Sequence, residues 1–154
     1  MKKLTFALMI GYLVTATAPA LAEVTTPGEA KVLEIRGEAK YLKAGTTEWI
    51  PLDPAMTLSE GDSVKTGQDS LVRLELSGSG KIGEVTVRKE SEFTFKALAH
   101  DPATGTRNTL LDVHVGSVLV QAEKLQGESK FRVKTPTSIV GVRGTKFEVN
   151  VRKK

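Results

Sequence analysis

Few side chains in this 154-residue chain could do chemistry, and they are scattered. There are two histidines, His100 and His114, and no cysteine. Asp112, His114 and Ser117 lie close enough in sequence to suggest a nucleophile, base and orienting carboxylate. Such a triad needs a pre-organised cleft and oxyanion donors, which nothing in the sequence supplies. His100-Asp101, on a loop with Pro102, could assist a metal, but without cysteine the two histidines match no ligand spacing. Asp53, Glu60, Asp62 and Asp69 could gather at one edge around calcium, yet they fit no calcium-loop pattern. The chain is therefore read as non-enzymatic, with no metal and no cofactor.

The single tryptophan, Trp49, has two readings: a satellite-core residue, which is favoured, or a surface group that stacks on a sugar or anchors a partner. Charge offers a second candidate surface. From residue 130 onward there are eight basic side chains (Lys130, Arg132, Lys134, Arg143, Lys146, Arg152, Lys153, Lys154) against one acid, Glu148. Residues 23–129 carry 12 basic against 17 acidic side chains. Either the basic end meets an acidic partner or anionic surface, or it is a solvated face that balances the rest of the molecule.

The elements that must carry these residues have period two. Leu33, Ile35, Ala39 and Tyr41 alternate with charged residues; so do Val72, Leu74 and Leu76, then Val85 and Val87, then Phe93, Phe95 and Ala97. Leu111, Val113 and Val115 follow, then Val118, Val120 and Ala122, then Phe131 and Val133, and finally Thr145, Phe147, Val149 and Val151. This alternation describes strands with one buried face, and no stretch beyond the N-terminus carries a helical stripe. The expected class is all-β. The apolar phase slips near Gly83 and again near Gly116, where a residue without Cβ permits a bulge or corner. Turn signals every ten to twelve residues suit a roll, a barrel or a sandwich equally.

Met1-Lys2-Lys3, the apolar run Leu4 to Val14 and the small residues Ala20 and Ala22 form a secretory signal peptide, with cleavage expected after Ala22. The remainder, 23–154, is read as a single domain with no membrane-spanning segment, periplasmic or secreted. That compartment makes nucleic acid an improbable partner.

Two stretches carry a family resemblance. One runs from Gly37-Glu38-Ala39 through Trp49-Ile50-Pro51-Leu52 to Gly61-Asp62, Thr66-Gly67 and Leu74. The other is Thr135-Pro136, then Val140-Gly141-Val142-Arg143-Gly144-Thr145, then Phe147-Glu148-Val149. Together they resemble the FecR domain family, known from the extracytoplasmic part of iron-transport signalling regulators and from other bacterial envelope proteins. The resemblance implies a twisted β-roll, with a β-sandwich as the alternative. It extends to the extracytoplasmic module alone, without the sigma-factor-binding segment, membrane helix and further domain of those regulators. Gly61, Asp62, Thr66, Gly67, Thr135, Pro136, Gly141, Gly144 and Thr145 are read as structural. Gly61-Asp62 should form a turn whose carboxylate accepts backbone N–H groups, and Gly141 and Gly144 should need positive φ or close backbone approach. The implied role is binding of another envelope protein, for regulation or scaffolding, through the edge near Thr135 to Thr145 with Lys130, Arg132, Lys134, Arg143 and Lys146. The alternative is an anionic envelope polymer such as peptidoglycan or lipopolysaccharide.

Overall fold

The computed structural model describes residues 25–142 and 146–152. The expected signal peptide and expected cleavage point fall outside these residues, as do Arg143, Gly144, Thr145, Lys153 and Lys154. Every regular element among the described residues is a strand, as the alternation required. In chain order they are β1 (Thr26–Pro27), β2 (Glu29–Arg36), β3 (Ala39–Leu42), β4 (Trp49–Pro51), β5 (Thr57–Leu58), β6 (Ser63–Thr66), β7 (Leu71–Gly78), β8 (Gly80–Val87), β9 (Glu92–His100), β10 (Arg107–Ala122), β11 (Lys130–Lys134), β12 (Ile139–Val142) and β13 (Phe147–Val151).

All belong to one 13-stranded sheet, curled so that its two halves enclose the core. Half A runs β4-β3-β6-β9-β10-β11-β12, with β1 also pairing with β9, and half B runs β5-β2-β7-β8-β10-β13. The 16-residue β10 belongs to both. Its first part pairs with β9 and, in parallel, with β11; its last part pairs with β8 and β13. After β10 the chain returns through 123–129 to lie alongside its own starting point. That path is a coil, the feature that makes the fold a roll instead of two separate sheets.

The chain passes between the halves at a seam. β2 leads into β3 through Gly37, β6 into β7 through Asp69-Ser70, β8 into β9 through Glu90-Ser91, and β10 turns at Gly116. Two of these crossings use the same device. At each, a glycine in the left-handed region (Gly37, φ 74°; Gly116, φ 92°) faces a serine that follows a left-handed acidic residue (Asp69, φ 51°; Glu90, φ 50°). The N–H after each glycine donates to that serine hydroxyl, Glu38 to Ser70 Oγ and Ser117 to Ser91 Oγ, both at 2.9 Å. Each hydroxyl in turn donates to the carbonyl two residues before it. At Gly116 a Cβ would lie 2.4 Å from Ser91 Cα, so only glycine fits.

Between the halves, Phe93, Phe95, Phe131, Leu58, Leu74, Leu76, Leu98 and Leu111 are fully buried. Phe93 and Phe95 meet edge to face with ring centroids 5.0 Å apart, a contact worth about 1 kcal/mol beyond area burial. Two details correct the simple alternation. Leu33 sits at a register shift between Val32 and Glu34 and is exposed, so Ala30 and Val32 are buried on the opposite parity from Ala39 and Tyr41. The phase slip at Gly83 is a bulge in the β7–β8 pair and not a corner; Gly83 itself packs against the backbone of Gln121 and Ala122.

Candidate partner-binding surface

β11 alternates strictly: Phe131 and Val133 point into the core, and Lys130, Arg132 and Lys134 point out. The turn that follows is tied by Thr135, whose N–H donates to the Ser138 carbonyl at 2.8 Å and whose hydroxyl accepts the Ser138 N–H at 3.1 Å. Pro136 has no N–H to leave unpaired in this turn and holds Thr135 extended. The chain then returns as β12, which among the described residues pairs with β11 alone. Val142 is buried, while Ile139 is 62% and Val140 39% exposed. The expectation for Gly141 is wrong: its φ is not positive, and a Cβ there would meet nothing. An exposed edge strand imposes no steric demand for glycine.

Around these bases acids are scarce. Lys134 Nζ lies 3.1 Å from Asp112 Oδ2, and Arg132 Nη2 donates to Asn108 Oδ1 at 3.3 Å while its buried Nε has no partner. Lys130 makes no ion pair among the described residues. Lys146 is exposed but stands just before β13, in half B, so it is not part of this hairpin. The same register extends across the whole outer face of half A. Trp49, Leu42, Ser63, Thr94, Asp112, Lys134 and Ile139 are successive cross-strand neighbours on seven strands.

Residues 62–154 match the FecR family, described as FecR protein. The chain belongs to the FecR family. No curated protein and no solved structure matches it. The FecR match takes in Asp62, Thr66-Gly67 and the hairpin just described, and leaves Trp49 outside. No helix among the described residues is long and apolar enough to cross a membrane.

Several signature positions of this FecR chain do structural work. Asp62 is buried, and its carboxylate accepts the Ala44 N–H at 2.8 Å, the Ser59 N–H at 2.8 Å and the Tyr41 hydroxyl at 3.1 Å. Burial, then the Asp62 charge, push the Tyr41 phenol above its usual range. Gly61, at φ 89°, turns the chain so that its N–H reaches the Phe95 carbonyl. Thr66 and Gly67 lie on the seam: the Thr66 hydroxyl accepts the Ser91 N–H at 3.0 Å and donates to the Arg88 carbonyl at 2.6 Å, and the Gly67 N–H donates to Glu38.

The reactive residues do not assemble into a site. Ser117 lies beyond the Gly116 corner and donates to Glu148 at 2.6 Å, away from His114. His114 Nε2 instead meets Thr94 Oγ1 at 3.1 Å, and Thr94 contacts Ser63 Oγ at 2.7 Å. Sequence reasoning missed both hydroxyls, because cross-strand register alone brings them to His114. His114 Nδ1 is 4.0 Å from Asp112, too far for a hydrogen bond, and the row lies on an open sheet face. Asp101 caps its own loop, and its carboxyl is held below the usual range by the Thr104 hydroxyl, then the Ala103 N–H. Asp53 caps Ala55 and Glu60 accepts the Leu98 N–H, so these two carboxylates are engaged separately, and Asp69 sits at the seam with φ 51°. Among the described residues no three acids or histidines could hold a metal.

Trp49 lies at the margin of the sheet. It is half-buried on an edge strand and does not join the hydrophobic core.

Proposed function

We propose that this FecR domain is an exported, non-enzymatic regulatory or scaffolding module of the bacterial envelope. It works by adding an extended acidic segment of another envelope protein to the free edge of β12. The observation that carries the reading is the β11–β12 hairpin: an edge strand that among the described residues has a partner on one side only, exposed Ile139 and Val140, and Lys130, Arg132 and Lys134 projecting beside it. An unpaired edge supplies backbone donors and acceptors in register, and side chains on alternate positions supply selectivity. The charge selects the occupant. A second copy of the chain would bring two basic edges together, whereas an acidic strand is attracted over the roughly 8 Å screening length at physiological salt.

The test is co-purification from envelope extracts with the wild-type domain, with K130E/R132E/K134E, and with Gly141→Pro, each checked for sheet content by circular dichroism. Recovery of the same partners at the same level by the charge-reversed protein removes the basic surface from the proposal. Recovery by Gly141→Pro removes strand addition: bonded pairs alternate along the hairpin from Thr135–Ser138, so the Gly141 N–H faces the free edge, and proline there takes away an edge donor while sparing the β11–β12 ladder. Both variants should lose the partner at least tenfold.

A further inference from the structure

A second surface lies at the opposite margin of half A. Trp49 on β4, Lys40 on β3, Lys65 and Thr66 on β6, with Glu38 and Gly67, line a groove of about 230 Å³. Pockets for drug-sized ligands begin at roughly 300 Å³, so this one has room for a single ring. The floor is the indole. A tryptophan is costly to leave half out of a core, and Trp49 is not among the residues that make up or pack against this one. The walls are cationic. Lys65 Nζ lies 6.0 Å from the indole centroid, at the limit for a cation–π contact, and Lys40 is its direct cross-strand neighbour. Both ammonium groups are only loosely neutralised, Lys40 by Glu38 at 3.5 Å and Lys65 by Glu92 at 3.8 Å, with half or more of each lysine side chain exposed. Pairs so exposed contribute little and exchange readily for a better anion.

We infer that this groove is a subsite for one carboxylated sugar unit of an envelope polysaccharide. The pyranose C–H face stacks on Trp49, and the carboxylate lies between Lys40 and Lys65. An aromatic platform alone accepts any sugar; the two ammonium groups make the preference anionic. A protein strand is a poor occupant, because the groove has no length along which to run.

Trp49 is the chain's only tryptophan, so it reports on its own site. Titration of the folded domain with tetragalacturonate should shift or quench its emission with saturation, and the fully methyl-esterified tetramer, which keeps the rings and loses the charge, should bind at least tenfold more weakly. Lys40→Glu/Lys65→Glu should abolish the response. Trp49→Phe should lose at least tenfold in affinity by calorimetry. Equal responses to acid and ester overturn the anionic preference, and an unchanged emission together with no calorimetric heat overturns the subsite. K130E/R132E should leave this titration unchanged, so failure here is distinct from failure at the β12 edge; loss of sugar binding in that variant would mean a diffuse charge effect and overturn the site.

Discussion

The two halves of the curled sheet bury similar apolar interiors and present opposite exteriors. On half B, Glu34, Glu75, Glu84 and Glu148 are matched by Arg36, Arg73, Lys81 and Arg88. Arg73 bridges Glu34 and Glu84 at 3.2 Å each, Lys81 reaches Glu84 at 2.8 Å and Glu75 at 3.5 Å, and Arg88 reaches Glu148 at 3.4 Å. Glu34 is held below the usual carboxylate range by Arg36, then Arg73, and Glu84 by Lys81, then Arg73. On half A, Lys40, Lys65 and Lys134 pair with Glu38, Glu92 and Asp112, while Lys96, Lys130 and Arg132 lie in no ion pair among the described residues. Half B answers its own charge; half A leaves part of its charge for something else to answer. Net charge, nearly balanced once Lys2 and Lys3 are set aside, conceals this division. The useful quantity is the charge on each face, which only strand register reveals.

The contrast holds only if the halves are one rigid body, and the most damaging single change should be at their shared strand. Gly116→Ala places a Cβ 2.4 Å from Ser91 Cα and forces φ 92° on a residue that resists it. Left-handed strain and overpacking together should cost about 4 kcal/mol, much of a small domain's stability. Urea denaturation should show a large fall in midpoint or loss of the folded form. Gly37→Ala, at the matching corner, should cost less, because its closest contact at 2.5 Å is the rotatable Ser70 hydroxyl. Equal losses would mean that the two corners share their load evenly.

A smaller effect should separate stability from recognition within half A. Asp62→Asn replaces an acceptor of three hydrogen bonds with a group whose amide must face a donor, which should cost about 2 kcal/mol by urea denaturation. The outward lysines and Arg132 are untouched, so the folded fraction should hold the β12 partner as tightly as wild type. A parallel loss of binding would tie the turn to the recognition edge.

Much of this was legible from residue order and some was not. Alternation found the strands, and the Gly61-Asp62 turn announced its local hydrogen bond from the Ser59 N–H, whereas the Ala44 N–H and Tyr41 hydroxyl reach the same carboxylate only through the tertiary fold. Leu33 could not be placed, since a one-residue bulge reverses which parity faces inward and leaves no compositional mark. Gly116 was visible as a discontinuity, yet the identity of its partner, Ser91, depends on pairing across 25 residues. The Ser63–Thr94–His114 row and the parallel return of β11 beside β10 are likewise products of register. Trp49 was read as satellite packing on its residue type; its place on edge strand β4 beside Lys40 and Lys65 depends on register.

The finest test compares how each face responds to acid. Glu84 titrates below its ordinary value of 4.5 because the folded chain sets Lys81 and Arg73 against it. A carboxylate with a depressed folded value contributes stability above its unfolded value, and that contribution drains away as pH falls through the folded one. Arg73→Gln/Lys81→Gln removes both cations. Wild type should therefore exceed this variant in urea midpoint at about pH 6, with the gap closing by about pH 3 and narrowing in high salt, as exposed pairs require. Lys130→Gln/Arg132→Gln on half A should show no such pH-dependent gap, since neither side chain lies in an ion pair with a carboxylate among the described residues. A gap of equal size there would show that half A also answers its own charge, and the case for an external acidic partner would lose its footing.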